Sequence, residues 1–290
     1  MTRHLLATTG LATMLLYVFG GASCATPPPR PGADQPVVQE AKAHNFFAPD
    51  AQLKQADAIP EQQYLIQLNI YRITLPAGAV SRSDAFWKRV DEHAVDVGTY
   101  ELLYKNGVRV GVAPVGEWDS LRESLGDHPA FTQPITYTGR QANDIELEMK
   151  KGVGLQHIFY FDSHGDLVGR TYERCNDLIR ISYQPAPRKH GSVRLGLVPI
   201  VQSLREQLVS TGPLNTRSVT WFRPEYLYEL NLVTDVDIEH FLVIAPSPEA
   251  KWASSLGNVF LTADGATEQT ETLIIVKPMM FRQKMEGGKP

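Results

Sequence analysis

Cysteine is scarce in this chain: Cys24 and Cys175 are the only two among 290 residues. No disulfide framework can be built from them. Catalytic signatures are lacking too. There is no His-x-x-x-His pair, no Gly-x-Ser-x-Gly elbow, no Walker loop, and no Gly-x-Gly-x-x-Gly after a strand. Basic charge is not in excess, with 28 Lys and Arg against 32 Asp and Glu and a formal net charge of −4. Such a balance lacks the positive footprint that phosphate contacts need, so nucleic acid is not an expected partner. Long apolar runs are missing: the longest, Leu5–Phe19, falls short of the ~20 residues that span a bilayer. No internal repeat of fixed period is visible. What remains is an ordinary globular balance, 43% hydrophobic and 21% charged.

The beginning of the chain is informative. Met1-Thr2-Arg3-His4 carries one firm positive charge, Leu5–Phe19 has none, and Gly20-Gly21-Ala22-Ser23-Cys24 is small-residue rich. This is the three-part layout of a secretory signal. Its end resembles the lipobox of bacterial lipoproteins, in which two small residues precede a lipidated cysteine. The resemblance covers residues 1–24 and implies that Cys24 carries the lipid. Gly21 departs from the usual aliphatic residue, which leaves an ordinary signal peptide and a soluble periplasmic or secreted protein as the alternative. Several buried acyl chains, at about 0.8 kcal/mol per CH₂, make a lasting anchor. By the same analogy, Ala25 in place of Asp points to the outer membrane, facing the periplasm.

Behind Cys24 the expected organisation is a Pro/Ala-rich tether over 24–60, an α/β unit over 61–127, a mainly β domain over 128–284, and a frayed tail over 285–290. ATPPPRPGADQP is extended and packs poorly. In the α/β unit, Tyr64, Ile66, Leu68 and Ile70 alternate, then Tyr71, Ile73 and Leu75 take the other parity. This predicts one strand with a bulge or twist near Tyr71. Ser83 is positioned to cap a helix over Asp84–His93, and Asp96 a second over Val97–Lys105 ended by Asn106-Gly107. Val108, Val110 and Val112 form a strand, and Glu117–Leu125 a third helix. The unit reads β-α-α-β-α.

From about residue 130 the period becomes two. Ile145, Leu147 and Met149 alternate with charged neighbours. Ile158–Phe161 and Leu167–Tyr172 flank a Gly/Asp turn and predict a hairpin. Strands are expected at Leu178–Tyr183, Ser192–Val201, Tyr226–Val233, Phe241–Ala245, Val259–Thr262 and Thr272–Lys277, with a helical turn at Ser203–Val209 and a turn at Gly152-Val153-Gly154. The fold class is α+β: the small α/β unit followed by an antiparallel sandwich or partial barrel.

Few residues invite chemistry. Asp162, His164, Asp166 and Glu173 mimic calcium-loop spacing, but the sixth position is Leu167 where glycine is needed, and a polar hairpin turn explains them all. Cys175 reads as a small buried apolar side chain. Trp221, Tyr226 and Tyr228 form a candidate aromatic platform for a sugar or peptide, with Leu230 and Leu232 continuing the face of Tyr226 and Tyr228. An apolar stripe of this kind is more often a core face. No catalytic residue, metal or cofactor is expected.

The segments Gly191–Val201, Phe241–Ile244, Ser255–Phe260 and Glu271–Pro278 are similar, in order, to the closing strands of the β-domain of bacterial secretins. The likeness covers about 190–280 and implies an envelope-assembly role. It lacks the secretins' glycine-rich stretch and paired membrane-crossing strands. The first reading is therefore a non-enzymatic, lipid-anchored envelope protein that contacts other envelope proteins or itself. The alternatives are a periplasm-facing sugar- or peptide-binding module and a hydrolase without a recognisable motif.

Overall fold

The computed structural model describes residues 64–126, 134–139, 143–212, 215–265 and 268–282. The signal, Cys24, the tether and the tail lie outside these. Two antiparallel sheets face each other, and short helices cover the far side of the first. The α+β class is as the alternation predicts. Among the described residues no helix is long and apolar enough to cross a membrane.

The first sheet runs in the order β2 (Val108–Pro114), β9 (His240–Pro246), β11 (Gln269–Arg282), β1 (Tyr64–Pro76) and β3 (Ile135–Gly139), with β10 (Thr262–Asp264) also on β11. β1 and β2 thus belong to the same sheet as β9 and β11. The boundary expected at 127 does not separate two sheets, because β1, at the start of the described residues, pairs with β11, at their end.

Of the bulge or twist expected near Tyr71, no bulge is present in the pairing with β11. β1 pairs with β11 without a register shift, from Tyr64↔Arg282 to Pro76↔Thr270. Ile66, Leu68 and Ile70 face the second sheet, whereas Ile73 and Leu75 face the helices. The change of parity marks where the helical layer begins to cover the strand.

That layer is made by α1 (Asp84–Trp87) and α3 (Trp118–Ser124). Ser83 caps α1 as expected, its Oγ accepting from the Phe86 N–H at 3.3 Å. The helix stops at Trp87, short of the predicted His93. Asp91 exchanges backbone hydrogen bonds of 2.8 and 2.9 Å with Val112, drawing the chain onto β2. Gly111 permits this approach, since a Cβ there would meet Val90 Cγ1 at 2.6 Å. Phe86, Trp87 and Leu121 then bury against Phe241, Val243, Leu273 and Ile275. Each such side chain contributes about 1.5–3 kcal/mol. A buried carboxylate fastens the same end. Glu271 accepts from the N–H groups of Gly78 and Ser81, both at 3.1 Å, and from that of Val80.

The second sheet runs β4 (Asn143–Phe161), β5 (Leu167–Pro185), β6 (Ser192–Gly212) and β7 (Asn215–Tyr226), with β8 (Leu232–Asp237) on β6 beyond the end of β7. Ile145, Leu147, Ile179, Ile181, Leu195 and Leu197 meet the first sheet. Ser203–Val209 lies inside β6 as strand, not as a helical turn. Its Leu204–Leu208 spacing and Arg-Glu-Gln composition suit a helix, but pairing with β7 overrides them. Gly152–Gly154 is not a turn either: it lies inside β4, where the register to β5 shifts between Glu148 and Val153.

Two helices close one end of the sandwich. α2 (Val97–Lys105) keeps its predicted bounds, with Asp96 accepting from the Thr99 N–H at 3.0 Å and Gly107 at φ 85°. α4 (Leu256–Leu261) replaces the strand expected at Val259–Thr262. Ser255 caps it, and Gly257 lies so close to Gly107 that a Cβ would reach 1.8 Å from the Gly107 carbonyl oxygen. A short apolar run bounded by a capping serine is ambiguous between strand and helix.

Candidate interaction cleft

The predicted platform is not assembled. Trp221 sits on β7 opposite Arg205, while Tyr226 ends that strand opposite Ile200. Five residues apart on a regular strand, they point to opposite faces. Tyr228 is not on the strand expected over Tyr226–Val233. The chain leaves β7 at Tyr226, buries Leu227, and makes a 3₁₀ turn over Tyr228–Leu230 before β8. Tyr226 and Tyr228 do stack, with centroids 5.2 Å apart and planes 15° apart, and the Arg180 guanidinium lies 5.0 Å from the Tyr226 ring.

The Asp162 turn is explained by its own hydrogen bonds. Asp162 Oδ1 accepts from the His164 and Asp166 N–H groups, each at 2.9 Å, and Gly165 adopts φ 85°. Among the described residues no group of three or more His, Cys, Asp or Glu side chains is placed to hold a metal.

One polar centre lies deep in the protein. Asp177 is fully buried on β5, beside the irregular part of β4. Gln156 Nε2 donates to its Oδ1 at 2.5 Å, and Oδ2 has no partner. Burial raises this carboxyl to about 6, against the opposing pull of the Gln156 hydrogen bond and the Lys150 charge. Burial also pushes the Lys150 amine down. The neighbouring Cys175 thiol is driven up to about 12, first by burial and then by Asp177. A thiol so weakly acidic is no nucleophile at neutral pH. Its buried position fits the apolar reading of Cys175.

The exposed feature is an apolar cleft of about 410 Å³. Phe159, Phe161 and Leu167 come from the end of the β4–β5 hairpin. Trp252, Ala253, Ser254 and Ser255 come from the segment before α4, and Lys105 and Asn106 from the end of α2. Asn106 builds the junction. Its Nδ2 donates to the Leu102 and Phe161 carbonyls, both at 2.9 Å, and its Oδ1 accepts from the Phe161 N–H at 2.7 Å. The Phe159 N–H donates to the Ser254 carbonyl at 2.8 Å. Trp252 is 64% exposed, Leu167 61% and Phe159 46%. Lys105 Nζ lies 4.8 Å from the Phe161 centroid, and Lys251 Nζ 5.5 Å from that of Trp252.

None of these cleft residues stands out in the sequence as a site. Alternation marks Ile158–Phe161 as a strand without saying that Phe159 points outward. One local cue exists: Gly169 faces Phe159 across the hairpin, and a Cβ there would meet the ring at 2.7 Å. Glycine opposite an aromatic ring allows the ring to lie over the backbone.

The chain matches no protein-family model, no curated protein and no solved structure. Gly191–Val201 falls at β6 of the second sheet, Phe241–Ile244 and Glu271–Pro278 in β9 and β11 of the first, and Ser255–Phe260 at α4 between those two strands.

Proposed function

We propose that this is a lipid-anchored envelope protein with a protein-contact or assembly role, and that the cleft around Trp252 is its contact surface. One observation carries the reading: Trp252, Leu167 and Phe159 are large apolar side chains left exposed around one concavity. Soluble domains seldom leave such residues clustered unless something covers them. The anchor at Cys24 confines the cleft to one membrane surface and raises its effective concentration for neighbours there. Secretin relatedness stays part of this proposal and rests on the sequence likeness alone.

The test is cross-linking in intact envelopes with a photoreactive residue at Leu167. A discrete cross-linked protein band is expected, weakened by Cys24→Ser and lost with Trp252→Ser. A band that survives Trp252→Ser, or no band at all, contradicts the contact reading.

A binding-module reading draws support from the cleft's size, which lies within the ~300–1,000 Å³ of small-ligand sites. Under that reading, short aromatic peptides quench Trp252 fluorescence saturably. Failure of such peptides to shift the emission sinks it.

A further inference from the structure

The β6–β7 hairpin is the second unpartnered feature. β6 pairs with β5 only as far as Ser203↔Cys175, then continues to Gly212 with β7 as its one strand neighbour among the described residues. Beyond that point Arg205, Glu206 and Gln207, and every residue from Ser218 to Pro224, are exposed. Val219 and Trp221 point to one face, Phe222 to the other. A two-stranded ribbon of this kind is at best marginally stable in water without a third strand or a covering surface.

We infer that the β6–β7 arm of one copy seats in the Trp252 cleft of another, joining copies head to tail. The arm offers the exposed apolar side chains of Val219, Trp221 and Phe222, and the cleft an apolar concavity. Their charges also match. On the face of the arm that carries Trp221, Arg205 and Arg223 are exposed cations directly opposite and two residues along. The cleft is flanked by Asp162 and Asp166, next in sequence to its lining residues Phe161 and Leu167. Lys251, on the other wall, already lies 3.8 Å from Glu249. Lys105 is laid over Phe161. Arm and cleft are different surfaces of one chain, so the contact is heterologous. Such contacts close into rings or run on as chains. The inference rests on the cleft being a contact surface and names what fills it.

Sedimentation of the full chain in detergent over a wide concentration range tests it. The parent chain associates beyond a dimer as concentration rises. Trp221→Ser with Phe222→Ser on the arm, or Trp252→Ser in the cleft, each weakens association at least about tenfold, as loss of an interface tryptophan does. All three side chains are exposed, so unchanged melting temperatures show that the variants fold. An equimolar mixture of arm variant and cleft variant forms a species that stops at two copies, because one intact arm and one intact cleft remain. A parent chain that stays monomeric overturns the inference. So does a cleft variant that associates as tightly as the parent, or a mixture that fails to pair. If self-association is absent while the Leu167 cross-link to another envelope protein persists, this inference falls and the contact reading stands.

Discussion

The two long hairpins of the second sheet leave it at the same end and behave differently. Both extend past the Cys175↔Ser203 pair. The β4–β5 hairpin is interrupted there by the register shifts of β4 and by Arg174, the one described non-glycine residue with a positive φ, 46°. Past the interruption it folds back on the core, burying Ile158, Tyr160 and Tyr172. Asn106 ties down its end, and Arg170 links the Tyr160 hydroxyl at 3.4 Å to Glu225 at 3.0 Å. The β6–β7 hairpin has regular register from Ile200 to Ser210 and no such kink, and Arg205–Gln207 and Ser218–Pro224 are exposed along it. Irregular backbone is what lets one hairpin find a core, while the regular one keeps side chains on both of its faces exposed.

The comparison breaks most sharply through side-chain deletion. Tyr160→Ala in the folded-back hairpin should cost about 3–5 kcal/mol in urea unfolding, as large core truncations do. Trp221→Ala in the arm should stay within about 0.5 kcal/mol, although tryptophan is the larger residue. Equal losses would erase the distinction.

Next in size is the pH dependence set by Asp177, beside the β4 irregularity. Its folded carboxyl titrates at about 6 against an ordinary 3.8. The folded state therefore holds a proton that the unfolded state has released. Stability from this group is full below about pH 4 and is lost as pH rises through about 6, by at most about 3 kcal/mol. Lys150 and Cys175 are the titratable groups coupled to it, and Gln156 its hydrogen-bond donor. Asp177→Asn should flatten the stability profile between those pH values and stabilise the protein at neutrality. An unchanged slope would refute the assignment.

A smaller effect is expected at Arg174. The left-handed conformation strains a side chain by about 1–2 kcal/mol. Arg174→Gly should relieve that and lose only an exposed ion pair to Glu206, 2.8 Å long and worth less than about 1 kcal/mol. Arg174→Val should be less stable than Arg174→Gly by about 1–2 kcal/mol in thermal melts. If the two melt alike, Arg174 is not the kink.

Much of the scaffold was legible because it rests on local rules. The Asp96 cap and Gly107, after Asn106, set the bounds of α2. Alternation located most strands and the Asp162 turn. What escaped depends on long-range cover. Ile73 and Leu75 look out of phase with Ile70 only because α1 and α3 cover the other face of β1 at that end. Val259–Thr262 reads as strand until Ser255 and the Gly257–Gly107 approach make it a helix. Trp221, Tyr226 and Tyr228 are close in sequence, yet strand parity and the break at Leu227 part them. The cleft escaped altogether, since Lys105, Phe159 and Trp252 converge from segments far apart in sequence.

Under the proposed contact, the arm and the cleft are open to a partner while the folded-back hairpin is not. Hydrogen–deuterium exchange of the full chain reads this directly, in dilute detergent solution and again in native envelopes. In dilute solution, amides of Ile158–Phe161 should exchange slowly and those of Leu204–Gly212 and Ser218–Phe222 fast. In envelopes, the arm and the Trp252–Ser255 segment should become protected together. An arm as protected as the β4–β5 hairpin in dilute solution, or an arm and cleft equally open in the envelope, would contradict the account.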